Sequence, residues 1–292
     1  MTQPITNAMT IDVEDYFHVS AFADRIAPRD WADLPSRVEQ NTHRLLNLLE
    51  KAEVHATFFV LGWVADRHPQ LIRDIARAGH EIGCHSYWHR LVYDLTPEEF
   101  RDDTRQAQQL LEDIIGERVT LYRAPSFSIT ERSLWALDIL AELGFDCDSS
   151  IYPIHHDRYG IPGADPFPHV VTTSAGELVE FPGSVCPLVG MSIPVSGGGY
   201  FRLYPVRVTA WLLERINRTF GRPFMFYIHP WEVDPDQPRL PGSLRSRFRH
   251  YQNLASTERK LAWLLPRFRF SAMGDLLSSD RHFMTSREQT RS

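Results

Sequence analysis

A chain of 292 residues with 43% hydrophobic and 12% aromatic content can bury a sizeable core, and α/β barrels of this length are often one domain. Lys and Arg number 31 against 37 Asp and Glu, a formal charge of −6 that excludes general attraction to nucleic acid or anionic membrane. The opening MTQPITNAMTIDVEDYF is no basic-then-apolar leader, and no run approaches ~18 apolar residues, so a soluble, cytoplasmic chain without membrane insertion is expected. Three widely spaced cysteines, Cys84, Cys147 and Cys186, fit reduced core thiols better than disulfides or a Cys-rich zinc site.

In chain order, NAMTIDV reads as a strand, and SRVEQNTHRLLNLLEKA as a helix with Ser36 and Glu39 in capping-box spacing. ATFFVLG then reads as a buried strand, PQLIRDIARAG as a helix stopped by Gly79, and HEIGCH as a strand. In TPEEFRDDTRQAQQLLEDIIG, Thr96 stands at the N-cap, Pro97 at N1, Glu99 at N3 and Gly116 at the stop. Strand VTLYRA, helix TERSLWALDILAELG and strand FDCD repeat the pattern. Residues 151 to 200 read as Pro- and Gly-rich loops around one strand, GELVEFPG. A helix at PVRVTAWLLERINRTF, strand FMFYI, helix TERKLAWLLPRF and strand RFSA follow, and from Ser278 a polar, disordered tail is expected.

Helices alternating with strands predict parallel βαβ units and so a barrel or doubly wound sheet. In a parallel barrel, chemistry gathers at the C-terminal strand ends. Those ends here carry Asp12, Glu14 and Asp15, then His85 and His89, then Arg123, Asp148 and His229. His85 and His89, four apart in a helix or tight loop, can face one ion. A strand-end carboxylate completes a three-residue site, and a second one can act as base. Arg123 can grip a carboxylate and His229 can protonate a leaving amine. His80 is expected to be structural. Tyr16, Phe17, Trp88, Phe127, Tyr152, Tyr200, Phe201 and Trp231 lie on candidate rim loops, where they would stack on sugars or simply anchor the loops.

These residues resemble the polysaccharide deacetylases with the NodB-homology domain, carbohydrate esterase family four. TIDVED is similar to that family's first motif, HSYWH to its metal motif, RAPSF and FDCDSS to the next two, and YIHP to the last. DVEDYF and HPWEVDPDQPR with RHYQNL look like the exosortase-associated subgroup of exopolysaccharide loci. The resemblance, over about residues 6 to 275, implies a distorted (β/α) barrel of about seven parallel strands. One domain would span 1–277, with a subgroup extension at about 230–277 and the tail at 278–292.

It also implies metal-dependent removal of N-acetyl groups from an amino-sugar glycan or its precursor, with that glycan and exopolysaccharide assembly proteins as partners. Asp12 would be the base, Arg123 its partner, His229 the acid, and Asp148 a support for His229 or a lining residue. Asp15, His85 and His89 would hold a divalent ion, zinc by default. The family's adjacent D-D is stretched here to D-V-E-D. Strand alternation favours Glu14 as the carboxylate ligand, whereas the turn and the shorter reach favour Asp15, which is taken here. The alternatives are an allantoinase- or cyclic-imidase-like C–N hydrolase, and a non-catalytic saccharide-binding protein of an exopolysaccharide assembly system.

Overall fold

The computed structural model describes residues 4–279. Eleven strands appear among them: β1 (Thr6–Val13), β2 (Thr57–Val60), β3 (Glu81–Cys84), β4 (Leu121–Tyr122), β5 (Cys147–Asp148), β6 (His169–Thr173), β7 (Gly176–Glu180), β8 (Val185–Leu188), β9 (Met191–Pro194), β10 (Met225–Ile228) and β11 (Arg269–Ser271). The main sheet runs β10-β1-β2-β3-β4-β5-β7-β6, with β11 beside β1. Every pairing in it is parallel except β6 with β7. Helices Val38–Lys51, Pro69–Arg77, Pro97–Ile115, Trp135–Glu142 and Val206–Phe220 make the crossovers. β2 and β10 are buried at every residue, as expected of parallel strands covered on both faces.

This is a distorted barrel of the expected kind, and the distortion lies where β7 should meet β10. No ladder joins those strands among the described residues. Irregular backbone fills the gap instead: Tyr227 N–H donates to the Ser196 carbonyl (2.6 Å) and Met225 N–H to Ser184 Oγ (2.7 Å). Gly197 permits this approach, because its φ is +132° and a Cβ there would collide with the Tyr227 carbonyl. Inside the barrel, Ala8, Phe59, Leu121, Cys147, Phe181 and Met225 form one apolar cluster. Helix Met273–Ser279 plugs its lower end, Met273 N–H donating to Thr57 Oγ1 (2.7 Å). A larger cluster lies between sheet and helices. The three cysteines are free and buried.

Helix Pro97–Ile115 has the predicted caps, a reciprocal Thr96–Glu99 box and left-handed Gly116. Helix Val38–Lys51 does not use the Ser36–Glu39 box; its first N–H groups are satisfied from another element, as described below. The loops expected over 151 to 200 contain the antiparallel partner β6 and a β8–β9 hairpin. Helix Leu244–Tyr251 was also not foreseen, because LRSRFRHY has no inward apolar stripe to signal it. The tail from Ser278 lies outside the described residues, apart from Ser278 and Ser279, which end the last helix. No helix among the described residues is long and apolar enough to cross a membrane.

Candidate active site

Alternation along β1 decides which side chains face the barrel interior. Met9, Ile11 and Val13 point to the helices, while Ala8 lies in the interior cluster. Thr10 and Asp12 share that inner face, both accepting from Arg123, and Glu14 follows one step past the strand end. Asp12 Oδ1 accepts from Arg123 Nη1 at 2.7 Å, and Thr10 Oγ1 accepts from the same nitrogen at 2.8 Å. The rest of the guanidinium is used as well. Nε donates to the Ser149 carbonyl (3.2 Å), Nη2 to Ser149 Oγ (2.9 Å), and the plane lies 4.2 Å from the centre of the Phe59 ring. A fully buried cation thus has a carboxylate, a hydroxyl pair and an aromatic face, which offsets its desolvation.

Glu14, His85 and His89 are all buried, and one ligand atom from each lies within 4.8 Å of the others. The histidines sit on a tight loop after β3, in which Ser86 and His89 have φ of +63° and +51°. Asp103, from the facing helix, holds that loop by accepting from Tyr87 N–H (2.7 Å) and Trp88 N–H (3.1 Å). His85 Nδ1 contacts the Arg123 carbonyl at 2.7 Å, so it carries the proton and leaves Nε2 for a ligand. Burial lowers the His85 pKa to about 4 against the pull of Asp12, which keeps the ring neutral. Burial would raise the Glu14 carboxyl, but His89, His229 and His85 outweigh it and hold the group well below the usual carboxylate range.

One Glu14 oxygen accepts from Trp231 Nε1 (3.0 Å). The other is buried 2.6 Å from His89 Nε2 with no hydrogen bond formed. An unsatisfied carboxylate oxygen beside two neutral-capable imidazoles is the donor set of a divalent metal such as zinc, and the residues fit one.

Asp15, taken from the sequence as the third ligand, stands outside this group. Its carboxylate accepts from Ser36 Oγ (2.8 Å), Arg37 N–H (2.8 Å), Val38 N–H (3.1 Å) and Tyr16 N–H (3.0 Å). It caps the helix that Ser36 was expected to cap. With every strong acceptor position spent on backbone and hydroxyl donors, Asp15 is not placed to ligate.

His229 follows β10 and opens a short turn, Pro230–Val233. Its Nε2 faces Glu14 Oε1 at 3.6 Å and Asp12 Oδ2 at 3.9 Å. Its Nδ1 donates to Glu232 Oε2 at 2.9 Å, and its own N–H donates to the same oxygen at 3.0 Å. Burial alone would lower the ring's pKa; Glu14, Glu232 and Asp12 raise it to about 9. Glu232 in turn accepts from Arg202 Nε (2.6 Å), and against the effect of burial Arg202 and His229 lower its pKa to about 2.

Glu232 and Arg202 were missed in the sequence. Arg202 carried no signal, but His-Pro-Trp-Glu has Pro at N1 and Glu at N3, the spacing of a capping box closed by histidine. Asp148, expected to support His229, does not touch it: it accepts from Ser150 Oγ and pairs with Glu180, behind Arg123. His80 is structural as expected, its Nδ1 accepting from Ala56 N–H. Of the eight rim aromatics, Tyr16, Phe17, Phe127, Tyr152, Phe201 and Trp231 are at most 4% exposed and serve packing; Trp88 is exposed and Tyr200 half-buried.

Residues 30–147 match a family model described as polysaccharide deacetylase, and residues 149–278 match a domain of unknown function, DUF3473. A peptidoglycan-N-acetylglucosamine deacetylase of Bacillus cereus is 33% identical over 98 residues, 33% of this chain and 36% of that protein. The peptidoglycan-N-acetylmuramic acid deacetylase PdaC of Bacillus subtilis is 35% identical over 100 residues, 34% of this chain and 21% of that protein. The chain therefore spans about a third or less of the length of these relatives. Among solved structures, a Mycobacterium smegmatis protein assigned to the polysaccharide deacetylases superposes with a TM-score of 0.60 at 24% identity, over 99% of this chain and 97% of that one. That likeness is one of fold.

Proposed function

Because residues 30–147 match the polysaccharide deacetylase model, we propose that the chain belongs to that family, carbohydrate esterase family four, and hydrolyses the N-acetyl group of an amino-sugar glycan or glycan precursor. The observation that carries this reading is the meeting of two differently held groups beside the Glu14–His85–His89 cluster, with His229 Nε2 3.9 Å from Asp12 Oδ2 and 3.6 Å from Glu14 Oε1. Asp12 is fixed at one oxygen by Arg123, and His229 is fixed at Nδ1 by Glu232. A divalent metal, zinc in this proposal, would be held by Glu14, His85 and His89, and when bound supplies a Lewis acid for the amide carbonyl and acidifies water in its reach.

Asp12 Oδ2, the oxygen not held by Arg123, takes the proton of the attacking water. Arg123 keeps that carboxylate aimed inward. His229, its Nε2 turned to the same space, delivers a proton to the departing amine, and Glu232 fixes which nitrogen does so. Acetate and a free amino sugar are the products. The DVEDYF and HPWEVDPDQPR likeness supports the further proposal of a substrate in exopolysaccharide biosynthesis, with assembly proteins of that system as partners. A cytoplasmic location belongs to the same proposal, and recovery of the native protein only from the periplasmic fraction would remove it.

The test is acetate release from N-acetylated oligosaccharides by chelated protein, zinc-restored protein and a zinc-restored His85→Ala variant. Full release is expected only from the zinc-restored wild type, with a loss on the order of 100-fold in the variant. Zinc binding without release from any glycan would overturn the substrate assignment, and absence of zinc binding would overturn the metal centre.

A further inference from the structure

Helix Leu244–Tyr251 is built inside out. Surface helices normally turn apolar residues inward and charges to solvent. Here the inward residue is His250, 3% exposed, whereas Leu244 and Phe248 are 85% and 63% exposed. Four residues apart, these two lie within about 40° of each other on the helix and form one outward ridge. Arg247 flanks the ridge on one side and Arg245 on the other, with Arg249 and Arg239 close by. Asp157 answers Arg245 (3.0 Å) and Arg249 (3.6 Å), one acid against two arginines, so the surface stays positive in a chain whose net charge is −6.

The helix is also firmly seated. Ser243 caps its start by accepting from Ser246 N–H (3.0 Å). The buried Arg202 caps its end, donating to the carbonyls of Arg249 (2.9 Å) and His250 (2.6 Å). Tyr251 Oη accepts from Leu240 N–H (2.7 Å). The ridge is thus presented by rigid backbone and cannot fold its apolar side chains away.

We propose that this ridge docks on the surface of an anionic lipid bilayer, Leu244 and Phe248 entering the boundary between headgroups and acyl chains while Arg245 and Arg247 meet lipid phosphates. Apolar residues flanked by arginines on an exposed helix are what such a boundary selects. A second copy of the chain suits the ridge less well, since a two-fold contact would set one arginine-flanked helix against another. The helix that bears the ridge packs its opposite, inward face toward the candidate site: His250 stacks on Trp231 at 4.2 Å, and Trp231 on His229 at 4.9 Å. Docking would bring that site near a substrate borne by the membrane. This placement rests on the proposed hydrolysis, but the docking does not and is tested without it.

The full chain is mixed with vesicles of phosphatidylcholine alone, or with a quarter phosphatidylglycerol, and floated on a density gradient. Wild type is expected to float with the anionic vesicles at low salt, to release as salt is raised, and to ignore the neutral ones. Leu244→Ser with Phe248→Ser, and separately Arg245→Glu with Arg247→Glu, are each expected to cut the floated fraction roughly tenfold at an unchanged melting temperature. No flotation of wild type, or flotation that neither pair alters, would overturn the proposal. So would a wild-type dimer in sedimentation that Leu244→Ser with Phe248→Ser converts to monomer, which would assign the ridge to a second copy.

Discussion

At His229 the proposed chemistry depends on a carboxylate three residues along the chain. Nδ1 is spent on Glu232, so only Nε2 can reach a substrate, and Arg202 leaves Glu232 no freedom to rotate away. Glu232→Gln keeps the shape but removes the charge that favours an imidazolium. The variant is expected to lose about 10- to 100-fold in kcat on an acetamide sugar, whose amine must be protonated to leave. On an activated aryl acetate, whose leaving group departs without a proton, it should stay within a few-fold of wild type. Equal losses on both substrates would mean that Glu232 serves the fold and not proton delivery.

The stretch after β1 shows one short element dividing its acids between two tasks. Glu14 continues the strand's inward alternation to the histidines; Asp15, one residue on, leaves the strand and satisfies the start of helix Val38–Lys51. Their variants should therefore separate. Asp15→Ala is expected to keep full zinc content and to cost about 2 kcal/mol in denaturant unfolding, through the lost cap and the buried N–H groups it leaves. Glu14→Ala should lose zinc on reconstitution, measured by elemental analysis, at little cost in stability. Zinc lost from Asp15→Ala and kept by Glu14→Ala would reverse the assignment.

Across the whole molecule, a buried acid pair links Asp148, which falls between the regions matched by the two family models, to Glu180 in the second of them. Asp148 ends β5, Glu180 ends β7, and the strands are parallel neighbours. Burial raises Asp148 to about 6, and burial with the Asp148 charge pushes Glu180 well above the carboxylate range, so the pair keeps a proton that the unfolded chain gives up near pH 4. The pair binds more protons folded than unfolded. Its contribution is complete below about pH 4 and declines as pH rises through 6 and beyond. Glu180→Gln supplies a permanent neutral donor, so its stability relative to wild type should improve steadily from pH 5 to pH 8 in urea unfolding. A difference that does not change with pH would rule out the shared proton.

The sequence by itself determined the alternation of strands and helices, the Thr96-to-Gly116 helix, and the placing of Asp12, His85, Arg123 and His229 at strand ends. Each rests on local physics: side-chain period, capping chemistry, and chain direction in a parallel sheet. The choice between Glu14 and Asp15 was not local, because both were reachable until helix Val38–Lys51 arrived to claim Asp15. Glu232 had a readable signature in His-Pro-Trp-Glu, but the value of that carboxylate depends on Arg202, brought 30 residues through space as a fixed donor. Nor could spacing tell that Asp148 would turn to Glu180, or that Phe127, Tyr152 and Trp231 would be packed inward and not line a rim. Those outcomes depend on which distant donors and surfaces close around each side chain, and only the assembled barrel decides that.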